Sequence, residues 1–428
     1  MSRWDDGKKE QKRRNREKKT ILLMGTMDTK EEELLFCREL IRRRGFQVLL
    51  LDAGILQDPR TPPDITRQEV AAAAGVSDLM DLLASRDKGQ CIAAMIRGVT
   101  AKTLELLSRN AFQGILGMGG GQGTDICATA MRSAPRGMPK LLVSTIASGK
   151  ATFGPYVGTK DIAMMHSIVD LQGLNFVTRG ILANAVGAIC GMVGTREETE
   201  TKPRGIPVAL SMLGTTTPGA LRVKETLERR GYEVVAFHQN GTGGIAMEEM
   251  IGEGAFRGVL DLNLHEIGDR FVGGLHSDPQ RERLEAAGAM GIPQVIAPGS
   301  INYAVWGPFA GLSRELKSRK YIIHNPNMTL VRLSVEELRS VGKITAEKIN
   351  RAKGPTRVFI PQRGFSFPDR KNLPHWEPEG NQAFIESLKA HLKPSIPLEE
   401  LDAHINDPEF IDPVTEAFLS LMEKSGTK

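Results

Sequence analysis

A chain of 428 residues is longer than one hydrophobic core usually serves, so two domains are expected. Its 40% hydrophobic and 25% charged content is ordinary for a globular protein and excludes collagen-like, low-complexity and wholly disordered classes. The net charge of +5 arises within residues 1–20, where nine Lys/Arg face four acids; the balanced remainder leaves no general nucleic-acid footprint.

Residues 1–20 read as a basic, solvated, disordered leader, with attraction to nucleic acid or an acidic membrane as the lesser reading. The leader has no apolar segment, so it does not read as a secretory signal. Cys37, Cys91, Cys127 and Cys190 lie far apart without a C-x-x-C pair, which points to free thiols and a cytoplasmic location. The longest small-apolar stretch, Gly180 to Gly194, reads as too short and too glycine-rich to cross a bilayer.

The first apolar run, Ile21 to Gly25, is a strand that ends at glycine. A loop through Thr26, Asp28 and Thr29 follows, then a helix from Glu31 to Arg44, closed by Gly45, and a strand from Phe46 to Asp52. This βαβ start favours a parallel sheet with its ligand at the carboxyl ends of the strands. Asp28 and Thr29 either cap the helix or touch phosphate or Mg²⁺ from the same loop. Arg67 to Ala84 reads as an Ala-rich helix, and Ile92 to Ile96 as a strand that delivers Arg97 and Gly98 to its carboxyl end. Arg97 is there a candidate anion clamp, or else a surface arginine at a helix start.

Gly114 to Gly149 carries the most information. A buried strand from Gly114 to Met118 opens into Gly119, Gly120, Gly121, Gln122 and Gly123, and Thr124 and Asp125 begin a helix. Glycines can adopt positive φ and let the backbone approach a ligand, and their N–H groups at a helix start form an anion site. Simple packing of a strand against its helix is the plainer reading. No lysine follows the glycines, so the loop is not a Walker A motif, and its spacing also fails the dinucleotide fingerprint. The next strand, Leu141 to Thr145, ends in Ser144, Thr145, Ala147, Ser148 and Gly149. Four strand ends, at Gly25, Arg97, Gly119 and Ser144, are thus expected to converge on one pocket.

Residues 200–205 read as a linker between a nucleotide-binding α/β domain, 21–199, and a second α/β domain, 206–428, with a C-terminal helical extension. The second half restarts like the first, with a strand from Ile206 to Gly214, a helix from Ala220 to Arg230, Gly231 and a further strand. The expected fold is therefore two Rossmann-like α/β domains with mostly parallel sheets, related as an internal duplication, the second without a glycine cradle. Its strand ends carry side chains instead, among them His238, His265, Glu266, Ser300 and His324. His265, Glu266 and Asp269 do not complete an H-E-x-x-H zinc motif, and no nucleophilic triad is evident.

The order MGTMDTKEEELLF, GMGGGQGT, PKLLVSTIASG, FHQNGTGGIAMEEMI, HNPNMTLVR, PQRGFSFPD and HINDPEF is similar to one family over residues 20–425. It resembles the ATP-binding amino-terminal module of the tomato mosaic virus resistance protein, with its largely uncharacterised bacterial and fungal relatives. The resemblance implies ATP in the first domain and self-association into a homo-oligomer. It also implies that Thr26, Asp28, Thr29, Gly119 to Thr124 and Ser144 to Ser148 line the nucleotide site. In the plant protein a barrel domain follows this module, so the antiviral activity is not carried over.

The resulting expectation is a cytoplasmic ATP-binding protein, with Mg²⁺ near Asp28 or Asp125 and a second small-molecule site in the inter-domain cleft. One alternative is a metabolic enzyme that uses His265, Glu266, His238 and His324 on a carboxylate- or sugar-type compound. The other is a nucleotide-gated interaction scaffold.

Overall fold

A computed structural model describes residues 19–84, 87–148, 154–195, 202–276, 278 and 281–426. Residues 1–18 of the expected leader, Gly149 and part of the expected linker lie outside the described residues. Lys19 and Thr20 belong to the fold: Lys19 is buried and donates Nζ to the Val193 carbonyl at 3.0 Å, and Thr20 opens the first strand. The chain divides into two compact units between Thr201 and Lys202.

The first unit contains β1 (Thr20–Gly25), β2 (Gln47–Asp52), β3 (Gly114–Gly119), β4 (Lys140–Ser144) and β5 (Ala163–His166). They form one parallel sheet in the order β2-β1-β3-β4-β5. Ile21 and Leu23 point to one face, where helices Met27–Arg43 and Phe176–Thr195 cover them. Leu22 and Met24 point to the other, under helices Arg67–Ala73, Lys88–Ser108 and Gly121–Ser133. Cover on both faces explains why these strands read as unbroken apolar runs.

Three local expectations change. The run Ile92–Ile96 is the interior of the Lys88–Ser108 helix, not a strand. Asp87 caps that helix by accepting from the Gln90 amide, and Cys91, Ala94, Met95, Gly98 and Val99 form its buried face. Gly98 is required because a Cβ there would fall 2.0 Å from the Val70 carbonyl oxygen. Residues 67–84 form two helices, Arg67–Ala73 and Leu79–Ala84, separated at Gly75, whose φ is +78°. The Phe176–Thr195 helix, at 20 residues, is longer than the glycines suggest and by length and composition could cross a membrane. Here Leu182, Ala185, Val186, Ile189 and Val193 pack it onto the sheet.

The second unit contains β6 (Ile206–Met212), β7 (Tyr232–His238), β8 (Gly258–Asn263), β9 (Gln294–Gly299), β10 (Tyr303–Trp306), β11 (Tyr321–Asn325), β12 (Met328–Arg332), β13 (Thr356–Pro361) and β14 (Leu398–Leu401). Six strands form a parallel sheet, β14-β13-β9-β8-β6-β7, and β10-β12-β11 form a small antiparallel sheet. Read from the start of each unit, the first five strands of both large sheets take the same order, second-first-third-fourth-fifth. Both units are Rossmann-like, and the internal repeat extends to strand order. His324 lies within β11, on the antiparallel insertion, not at the end of a parallel strand. The β14 run, Leu-Glu-Glu-Leu, is too short and polar to have declared itself.

Candidate functional site

In a doubly wound sheet the ligand crevice lies outside the carboxyl ends, where neighbouring strands send their connections to opposite faces. In the first unit that point falls between β1 and β3, so the Gly25–Thr26 turn and the glycine loop leave side by side.

The glycines of the loop divide into two kinds. A Cβ on Gly117 would lie 2.8 Å from Cys127 Cβ, and one on Gly119 would lie 2.5 Å from Gly123 Cα. These two positions let the Gly121–Ser133 helix settle on its own strand, as the packing reading required. Gly120 and Gly121 differ: a Cβ on Gly120 would meet only Thr145 Oγ1, at 3.7 Å, and one on Gly121 nothing within 4 Å. None of the five residues Gly119 to Gly123 adopts positive φ, so openness and close packing, not left-handed backbone, account for the glycines. The Gly121–Ser133 helix starts at Gly120 without a capping side chain, leaving its first amides to whatever occupies the space in front.

That space is a cavity of about 260 Å³ lined by Gly120 to Gly123, Thr26, Asp28, Thr29, Lys30 and Lys88. Ile55, Leu56, Ile92 and Ile126 form its apolar wall. Asp28 Oδ2 accepts from the Ile55 and Leu56 amides, both at 2.8 Å, and so pins the loop after β2. Asp52, fully buried, accepts from Met27 N at 2.9 Å and Gly54 N at 2.8 Å; burial pushes its carboxyl above the usual range. The first helix begins at Met27, earlier than expected, and neither Thr29 nor Thr26 caps it through a side chain. Their hydroxyls instead pair with each other at 3.1 Å.

Lys30 and Lys88 were not anticipated as site residues. Lys88 belongs to the helix mistaken for a strand, and Lys30 sits where the Met27–Arg43 helix breaks, with φ −130° and ψ 25°. Neither forms an ion pair among the described residues. Arg97, by contrast, is exposed mid-helix and Gly98 is buried in packing, so neither lines the cavity. Asp125 is exposed on the outer side of its helix, near the Arg132 guanidinium, and also lies outside the lining.

The β4 end supports the loop from behind. Thr124 Oγ1 and Ser144 Oγ, both buried, share a 2.7 Å hydrogen bond, and Thr145 N donates to the Gly119 carbonyl at 3.3 Å. Ala147 is buried, and Ser148 pairs with His166 Nε2 at 3.2 Å. Three of the four expected strand ends therefore meet, and the residues from β4 brace the loop without lining its cavity.

The second unit does have a glycine-rich helix start, Gly241 to Gly244, contrary to expectation. Its anion is the chain's own Glu266. Glu266 Oε1 accepts from Gly241 N at 2.7 Å and Gly244 N at 3.2 Å, while Oε2 pairs with Arg283 Nε at 2.9 Å. A Cβ on Gly244 would fall 1.7 Å from Glu266 Oε2. Arg283 also meets Glu248 at 2.5 Å, Asp261 at 3.1 Å and Gln239 Oε1 at 3.0 Å. Burial raises the Glu266 carboxyl while Arg283 and the Gly241 and Gly244 amides oppose that rise, so the side chain ties the glycine turn to Arg283.

His265, fully buried, places Nδ1 3.3 Å from the Ser300 carbonyl oxygen and Nε2 3.6 Å from Asp269 Oδ1. Burial, with His276 and His238 nearby, depresses its imidazole to about 3. His276 is pushed down to about 4 by burial, then by His238 and His324. The structure thus gathers the three expected histidines around a fourth, His276, which stood unnoticed in a loop without periodicity. No cluster able to hold a metal ion occurs among the described residues.

A two-unit parallel α/β protein, with one helix start open at its first switch point and the second filled from within, is the class these features define. The models described as the N-terminal and C-terminal domains of the uncharacterised protein family UPF0261 match residues 19–198 and 206–422. The chain belongs to the UPF0261 family. It is 39% identical over 408 residues to a UPF0261 protein of Clostridium tetani, covering 95% of this chain and 100% of that one. It is 30% identical to the ToMV susceptible protein tm-1(GCR26) of Solanum lycopersicum, covering 95% of this chain but 56% of the plant protein. Among solved structures, a Listeria monocytogenes protein assigned to the UDP-N-acetylglucosamine 2-epimerases shares 11% identity over 65% of this chain and 78% of that one, with a TM-score of 0.22.

Proposed function

We propose that the first domain binds ATP, with the triphosphate on the open amides of Gly120 to Gly123 and between Lys30 and Lys88. The observation that carries this reading is the uncapped Gly121–Ser133 helix start, whose two foremost glycines face a cavity that also collects two lysines without ion pairs among the described residues. Helix-terminal amides and the helix dipole favour an anion, and the lysines supply the charge absent from the loop itself. The wall of Ile55, Leu56, Ile92 and Ile126 suits the base.

Mg²⁺ fits at one carboxylate only. Asp28 lines the cavity and its Oδ1 accepts no hydrogen bond among the described residues, whereas Asp125 does not line it. Mg²⁺ is commonly held by one or two carboxylates together with substrate phosphates, so Asp28 would serve as that single protein ligand. With its other oxygen fixed by two amides, Asp28 is a poor general base, and the site suits binding better than rapid hydrolysis. Calorimetry with ATP and Mg²⁺ tests the reading: the wild type binds and Gly121→Glu, which puts a carboxylate into the phosphate position, does not. Equal binding by both proteins refutes it.

A further inference from the structure

The first turns of the Met27–Arg43 helix border a second cavity in the first unit, of about 480 Å³. Asp28 and Thr29 line both this cavity and the one in front of the glycine loop. The second lining is acidic: Asp28, Glu31, Glu32, Glu33 and Asp58 stand against one basic side chain among the described residues, Arg60. Acidic surfaces are common, so the question is which of these carboxylates the fold itself satisfies.

Three of them hold other parts of the chain. Asp28 Oδ2 binds the Ile55 and Leu56 amides. Glu31 accepts from Thr61 N at 2.7 Å and from Arg60 N at 3.2 Å. Asp58 Oδ1 accepts from Arg67 Nε at 2.8 Å and Gln68 Nε2 at 3.2 Å, which leaves Oδ2 without a partner among the described residues. Glu33 is different. Its side chain is buried, at 1% exposure, yet it accepts a single hydrogen bond, from Gly173 N to Oε1 at 2.7 Å. Among the described residues its Oε2 has no partner and the carboxylate forms no ion pair. Glu266 in the second unit shows what a buried glutamate ordinarily collects, two amides on one oxygen and the Arg283 guanidinium on the other. A carboxylate taken out of water needs such a counter-charge, and Glu33 lines a cavity with room for one.

The chemistry of the lining decides what kind of cation fits. Ca²⁺ or Mg²⁺ requires several oxygens converging at about 2.0–2.6 Å. No group of His, Cys, Asp or Glu able to hold a metal ion occurs among the described residues. An ammonium carries three separate donors and so suits acceptors that are set further apart. Leu35 and Pro59 also line the cavity and give a methylene chain an apolar surface.

We propose that this cavity binds a short aliphatic diamine. One ammonium donates to Glu33 Oε2 and to Glu32, the other donates to Asp58 Oδ2, and the methylenes between them rest on Leu35 and Pro59. Binding requires no nucleotide, so the site is independent of the ATP reading.

The test titrates the full chain calorimetrically with 1,4-diaminobutane, n-butylamine or MgCl₂, without nucleotide and in a buffer free of amines. The diamine is expected to bind saturably and to resist displacement by an equal concentration of MgCl₂. Binding of n-butylamine should be at least about ten-fold weaker, since one charge-assisted contact is lost. Glu33→Gln keeps an oxygen for the Gly173 amide and should weaken the diamine at least about ten-fold. Glu39→Gln, the same change at an exposed position of the same helix outside the lining, should leave binding unchanged. If Glu33→Gln does not fold, Glu32→Gln, at an exposed position, replaces it with an expected loss of about three-fold. No saturable binding of the diamine up to about 10 mM, which nearly saturates a site with millimolar Kd, overturns the proposal. Equal affinity for n-butylamine, displacement by MgCl₂, undiminished binding in the folded lining variant, or an equal loss in Glu39→Gln also overturns it.

Discussion

Two neighbouring glycines, changed to alanine one at a time, should separate stability from ligand binding. At Gly121 an added methyl meets nothing within 4 Å and the backbone φ is not positive, so the fold accepts it. Alanine there also lowers the entropy of the unfolded chain, so Gly121→Ala should be neutral or stabilise by up to about 0.5 kcal/mol. The same methyl stands in front of the helix amides and should weaken ATP. Losing one charge-assisted contact of about 1.5–3 kcal/mol corresponds to roughly 10- to 150-fold. At Gly119 the methyl would lie 2.5 Å from Gly123 Cα and 2.7 Å from its carbonyl carbon, both backbone atoms that cannot yield without moving the helix. Overpacking of this kind typically costs about 1–3 kcal/mol. Denaturant unfolding without ligand, followed by calorimetry with ATP and Mg²⁺, reads both quantities on the same preparations. If Gly121→Ala binds ATP like the wild type, the amides of this loop are not the cradle. If Gly119→Ala unfolds at the wild-type midpoint, the division of the glycines into packing and open positions is mistaken.

Lys88→Ala should weaken ATP about ten-fold or more without changing stability, whereas Arg97→Ala should change neither; calorimetry on the pair checks which helix residue serves the cavity. Arg283→Met should destabilise by about 3–5 kcal/mol, measured by denaturant midpoint, because it strands the buried carboxylates of Asp261 and Glu266. Acid should unfold the second unit early. His265 and His375 are depressed to about 3 and His276 to about 4, so below pH ~6.5 the unfolded chain binds protons that the folded one refuses. Stability present above pH ~6.5 is therefore lost as pH falls towards 4, at about 1.4 kcal/mol per pH unit for each fully buried histidine. Urea unfolding at pH 7, 6 and 5 measures the slope, and a flat profile would contradict the burial of these rings.

Much of the architecture was legible because both faces of each large sheet are covered. Continuous apolar strands such as Ile21 to Gly25, closed by glycine, announce themselves, and the Gly45 and Gly231 helix endings repeat the signal in each half. The Lys88–Ser108 helix misled because its Cys91–Met95 segment is locally apolar, and only the longer register to Val99 and Thr103 reveals a helical face. The candidate site was legible where backbone chemistry carries it, at Gly120 to Gly123 and at Thr26, Asp28 and Thr29. Lys88 could not be read, since a cation supplied by a separate helix has no fixed spacing from the glycines. The bracing role of Glu266 was hidden for the opposite reason: a carboxylate beside a histidine suggests chemistry, and its amide partners lie 22 and 25 residues away in sequence.

That brace has a consequence for ligand stoichiometry. A phosphate could enter the Gly241–Gly244 turn only by expelling the Glu266 carboxylate and depriving Arg283 of one of its counter-charges. The repeat that gave the molecule two glycine-rich helix starts therefore leaves one of them open, and the proposed ATP reading predicts one nucleotide per polypeptide, the other start being taken by a tethered carboxylate.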